Sequence, residues 1–279
     1  MKKPYKFGLI GHNIAYSKSG EVFDTIFELL KLKGEFNVYS TDRTSFKNQL
    51  INFRSNGTRG FSVTIPYKSE IMEYLDDVDP IAHALKAVNC VVVDEGRLLG
   101  FNTDCYGFPI PLKPYASTLK HGRAVIVGCG GAAAAVAYSL FLDFEIKEFT
   151  VLGRNDKNLR SFRELLKNRF RNIDIVTEST LKPSRVKKQY DIIVNCTPLG
   201  GWNHSEKSPL GDDFNWKSTK IYYDLNYNDE NKIIKSAADA GTVTIDGSSM
   251  LVGQAIRAFD IWTGKIISFE PVYDKVFRN

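Results

Sequence analysis

Few of the residues that staple a chain or bind metal occur in this sequence of 279 residues. Its four cysteines, Cys90, Cys105, Cys129 and Cys196, form no C-x-x-C pair and lie in apolar or glycine-rich stretches. That excludes a dense disulfide framework and leads us to expect a reduced, cytoplasmic setting. The four histidines, His12, His83, His121 and His204, are scattered without H-x-x-x-H spacing, so no metal site is expected. Long apolar runs are also missing. The longest, Ala132 to Leu142 with Ser139 inside it, falls well short of the roughly 20 residues that cross a bilayer. The segment after Lys2 and Lys3 is broken by Gly8, Gly11, His12 and Asn13, too early for a signal-peptide core. No block of like charge exceeds Lys187-Lys188, and no repeat or low-complexity tract occurs, so neither nucleic acid nor a membrane is expected as a partner.

What is present is an ordinary globular composition, 43% hydrophobic, 25% charged and 12% aromatic, in a length over which one core usually divides into two. The net charge of +5 suits, without selecting, capture of a carboxylate substrate and a phosphorylated cofactor. Strand-like runs at Phe7–Ile10, Phe36–Tyr39 and Gly60–Ile65 alternate with amphipathic segments at Gly20–Lys33 and Ser45–Ser55, the rhythm of β-α units on a mainly parallel sheet. Val88–Val93 and Arg97–Phe101 flank Asp94-Glu95-Gly96 and read as a closing hairpin. The proline-bearing stretch Pro109–His121 reads as a crossing to a second unit. There, Arg123–Val127, the turn Gly128-Cys129-Gly130-Gly131, Ala132–Leu142 and Glu148–Leu152 give β-α-β, with further strands at Ile173–Thr177, Asp191–Asn195, Ile221–Leu225 and Val243–Asp246. Met250–Trp262 is helical in pattern and is expected to return to the first domain.

The glycine turn Gly128-Cys129-Gly130-Gly131-Ala132, leaving a strand and opening a helix of small residues, points to a dinucleotide, because its free helix-start amides attract a pyrophosphate. The next strand ends in Gly153-Arg154-Asn155, where an NAD site places an acid. A guanidinium pairs with a 2′-phosphate, which favours NADP, with Lys157 adding charge; the bland alternative is a solvated arginine at a helix start. In the first domain Ser62-Val63-Thr64-Ile65-Pro66-Tyr67-Lys68 runs off a strand end, and Asn102-Thr103-Asp104 ends another. Lys68 and Asp104 can form a proton-transfer pair at the sheet edge, although spacing alone reads better as a plain ion pair.

The ordered series of motifs resembles the shikimate dehydrogenase family over nearly the whole chain. It runs Gly8-Leu9-Ile10-Gly11 with Ser17-Lys18-Ser19, then Ser62 to Lys68, Ala87-Val88-Asn89 and Gly100 to Asp104. In the second half follow Gly128 to Ala132, Asn195 to Gly200, Asp224 to Tyr227 and Gly247 to Ala255. The resemblance implies two α/β domains flanking a cleft that opens and closes. Residues 1–106 with the C-terminal helices 252–279 would form a substrate domain, and residues 107–251 a Rossmann-like NADP domain. It implies NADPH-dependent reduction of 3-dehydroshikimate to shikimate by a cytoplasmic monomer or homodimer, with Lys68 as proton donor and Asp104 as its partner. It further implies substrate contacts at Ser17, Ser19, Thr64, Asn89, Tyr227 and Gln254. Cofactor contacts are implied at Gly128, Gly130, Gly131, Ala132, Arg154, Asn155, Thr197, Gly247 and Met250. Other readings stand beside these: Ser17 and Ser19 as helix caps, Thr64 and Asn89 as turn formers, Tyr227 as a half-buried ring and Gln254 as an exposed helical residue. Tyr16, Gly20 and Ser62 replace the family's His, Pro and Asn, and Asn155 follows Arg154 where the family has Thr. Two rivals are a quinate/shikimate dehydrogenase with broader substrate or NAD use and a non-catalytic ligand sensor.

Overall fold

In a computed structural model, residues 3–179, 189–211, 214–228 and 231–278 are described. The Lys187-Lys188 pair lies outside them. The chain forms two compact units, one of Met1–Gly107 with Leu251–Asn279 and the other of Phe108–Met250.

The first unit begins with β1 (Tyr5–Gly11), α1 (Ser19–Leu29), β2 (Gly34–Ser40), α2 (Arg43–Ser55) and β3 (Gly60–Val63). It continues through β4 (Asp77–Val78), α3 (Pro80–Leu85), β5 (Cys90–Asp94), β6 (Arg97–Phe101) and the short α4 (Asp104–Gly107). The sheet order is β2-β1-β3-β5-β6-β4. Strands β1, β2 and β3 run parallel, while β5 pairs antiparallel with both β3 and β6. The carboxyl ends of β1, β3 and β6 therefore share one edge with the amino end of β5. The β5–β6 hairpin closes on Glu95-Gly96, both at positive φ (49° and 80°), as a two-residue turn with matching twist requires.

Helix α1 buries Val22, Phe23, Ile26 and Phe27, one face at helical spacing, and α2 buries Phe46, Leu50 and Phe53 at i, i+4 and i+7. The two stripes cover opposite faces of the sheet. On the α2 face lie Ile10, Phe61, Val63 and Tyr67; on the α1 face lie Phe7 and Cys90. Asp42 starts α2 through a capping box with Ser45, its Oδ1 accepting from the Ser45 amide at 2.8 Å.

The second unit comprises α5 (Ala116–Leu119), β7 (Arg123–Val127), α6 (Gly131–Phe144), β8 (Glu148–Gly153), α7 (Asp156–Arg169) and β9 (Asp174–Ser179), followed by β10 (Tyr190–Asn195), β11 (Thr219–Asp224), α8 (Lys232–Asp239) and β12 (Val243–Ile245). All neighbouring pairs are parallel, in the order β9-β8-β7-β10-β11-β12. This is the doubly wound order of dinucleotide-binding sheets, with its switch point between β7 and β10. Continuous apolar strands such as Ala124–Val127 and Ile192–Val194 are what a sheet buried on both faces demands. Trp216 packs edge-on to Tyr222 in this core.

Helix α9 (Ser248–Thr263) then enters the first unit, and α10 (Phe269–Phe277) follows it. Phe259 and Trp262 of α9 and Val272 of α10 join Phe7, Phe23 and Phe27 in an aromatic core, with Phe7 and Trp262 stacked at 4.7 Å. Trp262 Nε1 donates to the Val91 carbonyl at 2.9 Å, and its indole fills the space a side chain at Gly60 would need.

Several expected boundaries move. Strand β3 stops at Val63, because Thr64 and Ile65 turn over the end of β1, where the Thr64 amide donates to Ile10 and the His12 amide to Ile65. Val88 lies outside β5, its amide bound instead to the Lys68 carbonyl. Helix α1 ends at Leu29 rather than Lys33, where Lys31 takes a left-handed conformation and the Leu32 amide folds back onto Phe27.

Candidate active site

The shared edge of the first sheet gathers polar side chains that the sequence scatters. Lys68 follows β3 and Asp104 follows β6, and Lys68 Nζ donates to Asp104 Oδ2 at 2.5 Å, with both side chains largely buried. The second carboxylate oxygen accepts from Asn89 Nδ2 at 2.8 Å, and the Asp104 amide donates to Asn102 Oδ1. Asn89 is locked by its backbone: its carbonyl accepts from Val63 on β3, and its amide donates to Phe101 on β6. Its side chain bonds Thr103, with the Thr103 amide donating to Asn89 Oδ1 at 2.6 Å. Gln254 on α9 reaches the same cluster, its Oε1 3.5 Å from Asn89 Nδ2, and Gln254 Nε2 donates to the Leu251 carbonyl.

This arrangement orients a charge. A buried ammonium needs an anion beside it, and Asp104 supplies one whose other oxygen accepts from the neutral amide of Asn89. One Nζ proton is engaged by Asp104, which leaves donors of the three-proton ammonium for a bound oxygen. Gln254, buried rather than exposed, is part of this cluster.

Thr64 stands at the same edge, its methyl lying where a Gly11 side chain would project, so Gly11 permits the close approach of the β1 and β3 ends. Ser17 and Ser19 precede α1. Ser17 Oγ donates to Ser19 Oγ at 3.0 Å and accepts from the Ser19 amide. The N-cap position itself is Lys18, which makes no side-chain cap, while Ser17 Oγ takes up the first amide of the helix, that of Ser19. Paired hydroxyls at a helix start suit a carboxylate. Tyr227 belongs to the second unit, half-buried beyond β11.

In the second unit, Gly128 leaves β7 at φ +109°, a conformation that favours glycine, and Gly130 has no atom within 4 Å of where a side chain would start. Helix α6 begins at Gly131 without a side-chain cap, so its first amides, including that of Ala132, remain available. An open glycine turn and 14-residue helix at the switch edge fit a dinucleotide diphosphate. Arg154 is exposed beyond β8, and Asn155 caps α7 by accepting from the Asn158 amide at 3.0 Å. Thr197, past β10, is held by Asn195 Oδ1 through both amide and hydroxyl. Gly247 donates to the Asn226 carbonyl, and Met250 is buried in the first turn of α9.

The sequence names Thr103 and Asp224 within motifs but gives neither a role. Thr103, fully buried, holds Asn89, which in turn donates to Asp104; its signal is a polar triplet directly after an apolar strand. Asp224, also fully buried, was noticed only as part of a motif, yet it collects the loops beyond β10 and β11.

Residues 9–91 match the family model for the shikimate dehydrogenase substrate binding domain, and residues 247–277 match that for the shikimate 5'-dehydrogenase C-terminal domain. The chain is 34% identical over 260 residues to a shikimate dehydrogenase (NADP(+)) of Clostridium botulinum, covering 92% of this chain and 96% of that protein. It is 34% identical to the Bacillus cereus protein of the same name, over 98% of each. Among solved structures, shikimate dehydrogenase 1 from Peptoclostridium difficile superposes with a TM-score of 0.85 at 29% identity, covering 98% of this chain and 97% of that one. The Thermus thermophilus shikimate 5-dehydrogenase in complex with NADP(H) and shikimate superposes at 0.82 and 29% identity, covering 98% and 99%.

Proposed function

Since this chain belongs to the shikimate dehydrogenase family, we propose that Lys68 and Asp104 are its catalytic pair. The protein is an NADP-dependent oxidoreductase acting on a CH–OH group, interconverting 3-dehydroshikimate and shikimate on the route to chorismate.

When bound, the nicotinamide supplies a hydride to the ketone carbon or accepts one from the alcohol carbon. Lys68 does the complementary work. Its ammonium hydrogen-bonds the carbonyl oxygen, stabilises the negative charge that develops there and delivers the proton that completes the alcohol. In the reverse direction, neutral Lys68 takes the hydroxyl proton. Asp104 remains an anion throughout, holding Nζ at 2.5 Å and offering an acceptor to a neighbouring substrate hydroxyl. Asn89, Gln254 and Thr64 provide donors and acceptors for the ring hydroxyls. Ser17 and Ser19 bind the carboxylate, with Tyr227 a further contact.

On the cofactor side we assign the diphosphate to Gly128, Gly130, Gly131 and Ala132, and the 2′-phosphate to Arg154 and Asn155. Thr197, Gly247 and Met250 would line the remainder. The unit Met1–Gly107 with Leu251–Asn279 is the substrate unit in this reading, and Phe108–Met250 the cofactor unit.

The single observation that carries the reading is the buried Lys68–Asp104 pair at the sheet edge, ringed by Asn89, Thr103 and Gln254. Purified protein should be assayed with shikimate and quinate, each with NADP and NAD. Turnover is expected to be fastest with shikimate and NADP. Absence of turnover in every pairing would defeat the reading.

A further inference from the structure

Asp224, the last residue of β11, is a fully buried carboxylate whose partners among the described residues are all neutral. Asp224 Oδ2 accepts from the Tyr222 hydroxyl at 2.8 Å and from Asn231 Nδ2 at 3.0 Å. Asp224 Oδ1 accepts from the Asn226 amide at 3.0 Å and from Asn226 Nδ2 at 2.7 Å. Asn195 Nδ2 lies 3.1 Å from both oxygens. Burying a charge costs several kcal/mol unless it is richly hydrogen-bonded. Burial does push this carboxyl upward, against the donors that favour its charged form. A fold that needed only packing at this point would be served by an apolar side chain.

The donors reveal what the charge organises. Asn195 and Asn226 each use the same amide group to reach the loop after β10: Asn195 Nδ2 donates to the Leu199 carbonyl at 2.8 Å, and Asn226 Nδ2 to the Thr197 carbonyl at 3.0 Å. Asn231, oriented by Asp224, caps α8 by accepting from the Ile233 and Ile234 amides. The Asn226 carbonyl accepts from Gly247, where any side chain would collide with the backbone of Leu225. Gly201 is pressed as closely against Asn226, and Gly200, at φ +86°, faces Asp224 and Asn231. One carboxylate thus fixes the loop after β10, the start of α8 and the segment before α9.

These segments belong to β10–β12, the second mononucleotide half of the sheet, opposite the half that carries the glycine turn. We propose that Asp224 is the positioning residue that shapes the nicotinamide half of the cofactor site, acting through Asn195 and Asn226 on the backbone of Thr197, Leu199 and Gly247. This inference rests on the cofactor assignment above. It adds a role for a residue that touches neither cofactor nor substrate.

Asp224→Asn replaces an acceptor by an amide that faces five donors, and Asn226→Ala removes the link to Thr197 while keeping the carboxylate. Binding of NADPH, of adenosine 2′,5′-bisphosphate as a probe of the adenosine half, and of shikimate should be measured separately by calorimetry, without turnover. In both variants NADPH affinity is expected to fall about 10-fold or more, the scale of one lost hydrogen bond to a charged group. The bisphosphate and shikimate should bind as to the wild type. Should Asp224→Asn fail to fold, Asn226→Ala decides. Wild-type NADPH affinity in Asn226→Ala, or equal weakening of NADPH and bisphosphate, overturns the proposal. If the wild type bound no NADPH, the cofactor assignment itself would be at fault.

Discussion

At the scale of single residues, the Lys68 ammonium donates to the Asp104 carboxylate at the sheet edge. Lys68→Ala is expected to lower kcat by about 10²-fold or more with a smaller effect on KM, because proton delivery is lost while substrate contacts persist. Steady-state rates with shikimate measure this, and unchanged turnover removes Lys68 from the mechanism. Arg154→Ala should weaken NADPH and spare NADH, since only the former carries the 2′-phosphate; equal losses for both cofactors contradict the assignment. Much of this site was legible in the chain. Lys68 and Asp104 both follow strands that alternate or run apolar, so their place at a sheet edge could be read directly. Thr103 and Asp224 were not legible in the same way, because a buried polar side chain earns its meaning from partners far away in sequence, Asn89 for one and Asn195 for the other.

At the scale of elements, period and turn chemistry carried most of the reading, and short elements escaped it. The two-residue β4 and six-residue α3 offer too few positions for a period to show, although Asp79 and Pro80 mark a cap and first helical turn. Helix α10 falls within the C-terminal helices expected over 252–279, and its apolar face of Phe269, Val272, Tyr273, Val276 and Phe277 packs into the core shared with α1. Gly60 shows how an element is fitted to its neighbour. A Cβ there would stand 2.4 Å from the Trp262 indole, so Gly60→Ala must shift α9 or β3. It is expected to destabilise the protein by about 1–3 kcal/mol, the cost of overpacking, read from urea denaturation. Wild-type stability would mean that α9 yields freely.

On the scale of the whole molecule, stability should respond to acid with a sign fixed by its carboxylates. The Ser45 hydroxyl and amide hold Asp42 below the usual range, and the Leu98 amide and Arg54 do the same for Asp76. Burial pushes Asp191 up, but Lys220 and the Arg123 amide outweigh it, for a net lowering. A carboxyl whose folded pKa lies below its unfolded value contributes stability above the unfolded pKa and loses it as pH falls through the folded one. The urea midpoint should therefore decline as pH drops below ~4, the ordinary aspartate value. Asp224 opposes this trend, because its raised pKa favours the protonated folded state. Asp76→Asn should flatten the acid slope; an unchanged slope would show that this pair contributes nothing.

The three tryptophans are unevenly placed: Trp262 is buried in the first unit, Trp216 in the second, and Trp202 lies half open to water. With Trp202 replaced, each remaining indole becomes an optical reporter of its own unit, its emission shifting red when water reaches it. Following one indole at a time would reveal whether the two halves of the chain come apart together or in sequence.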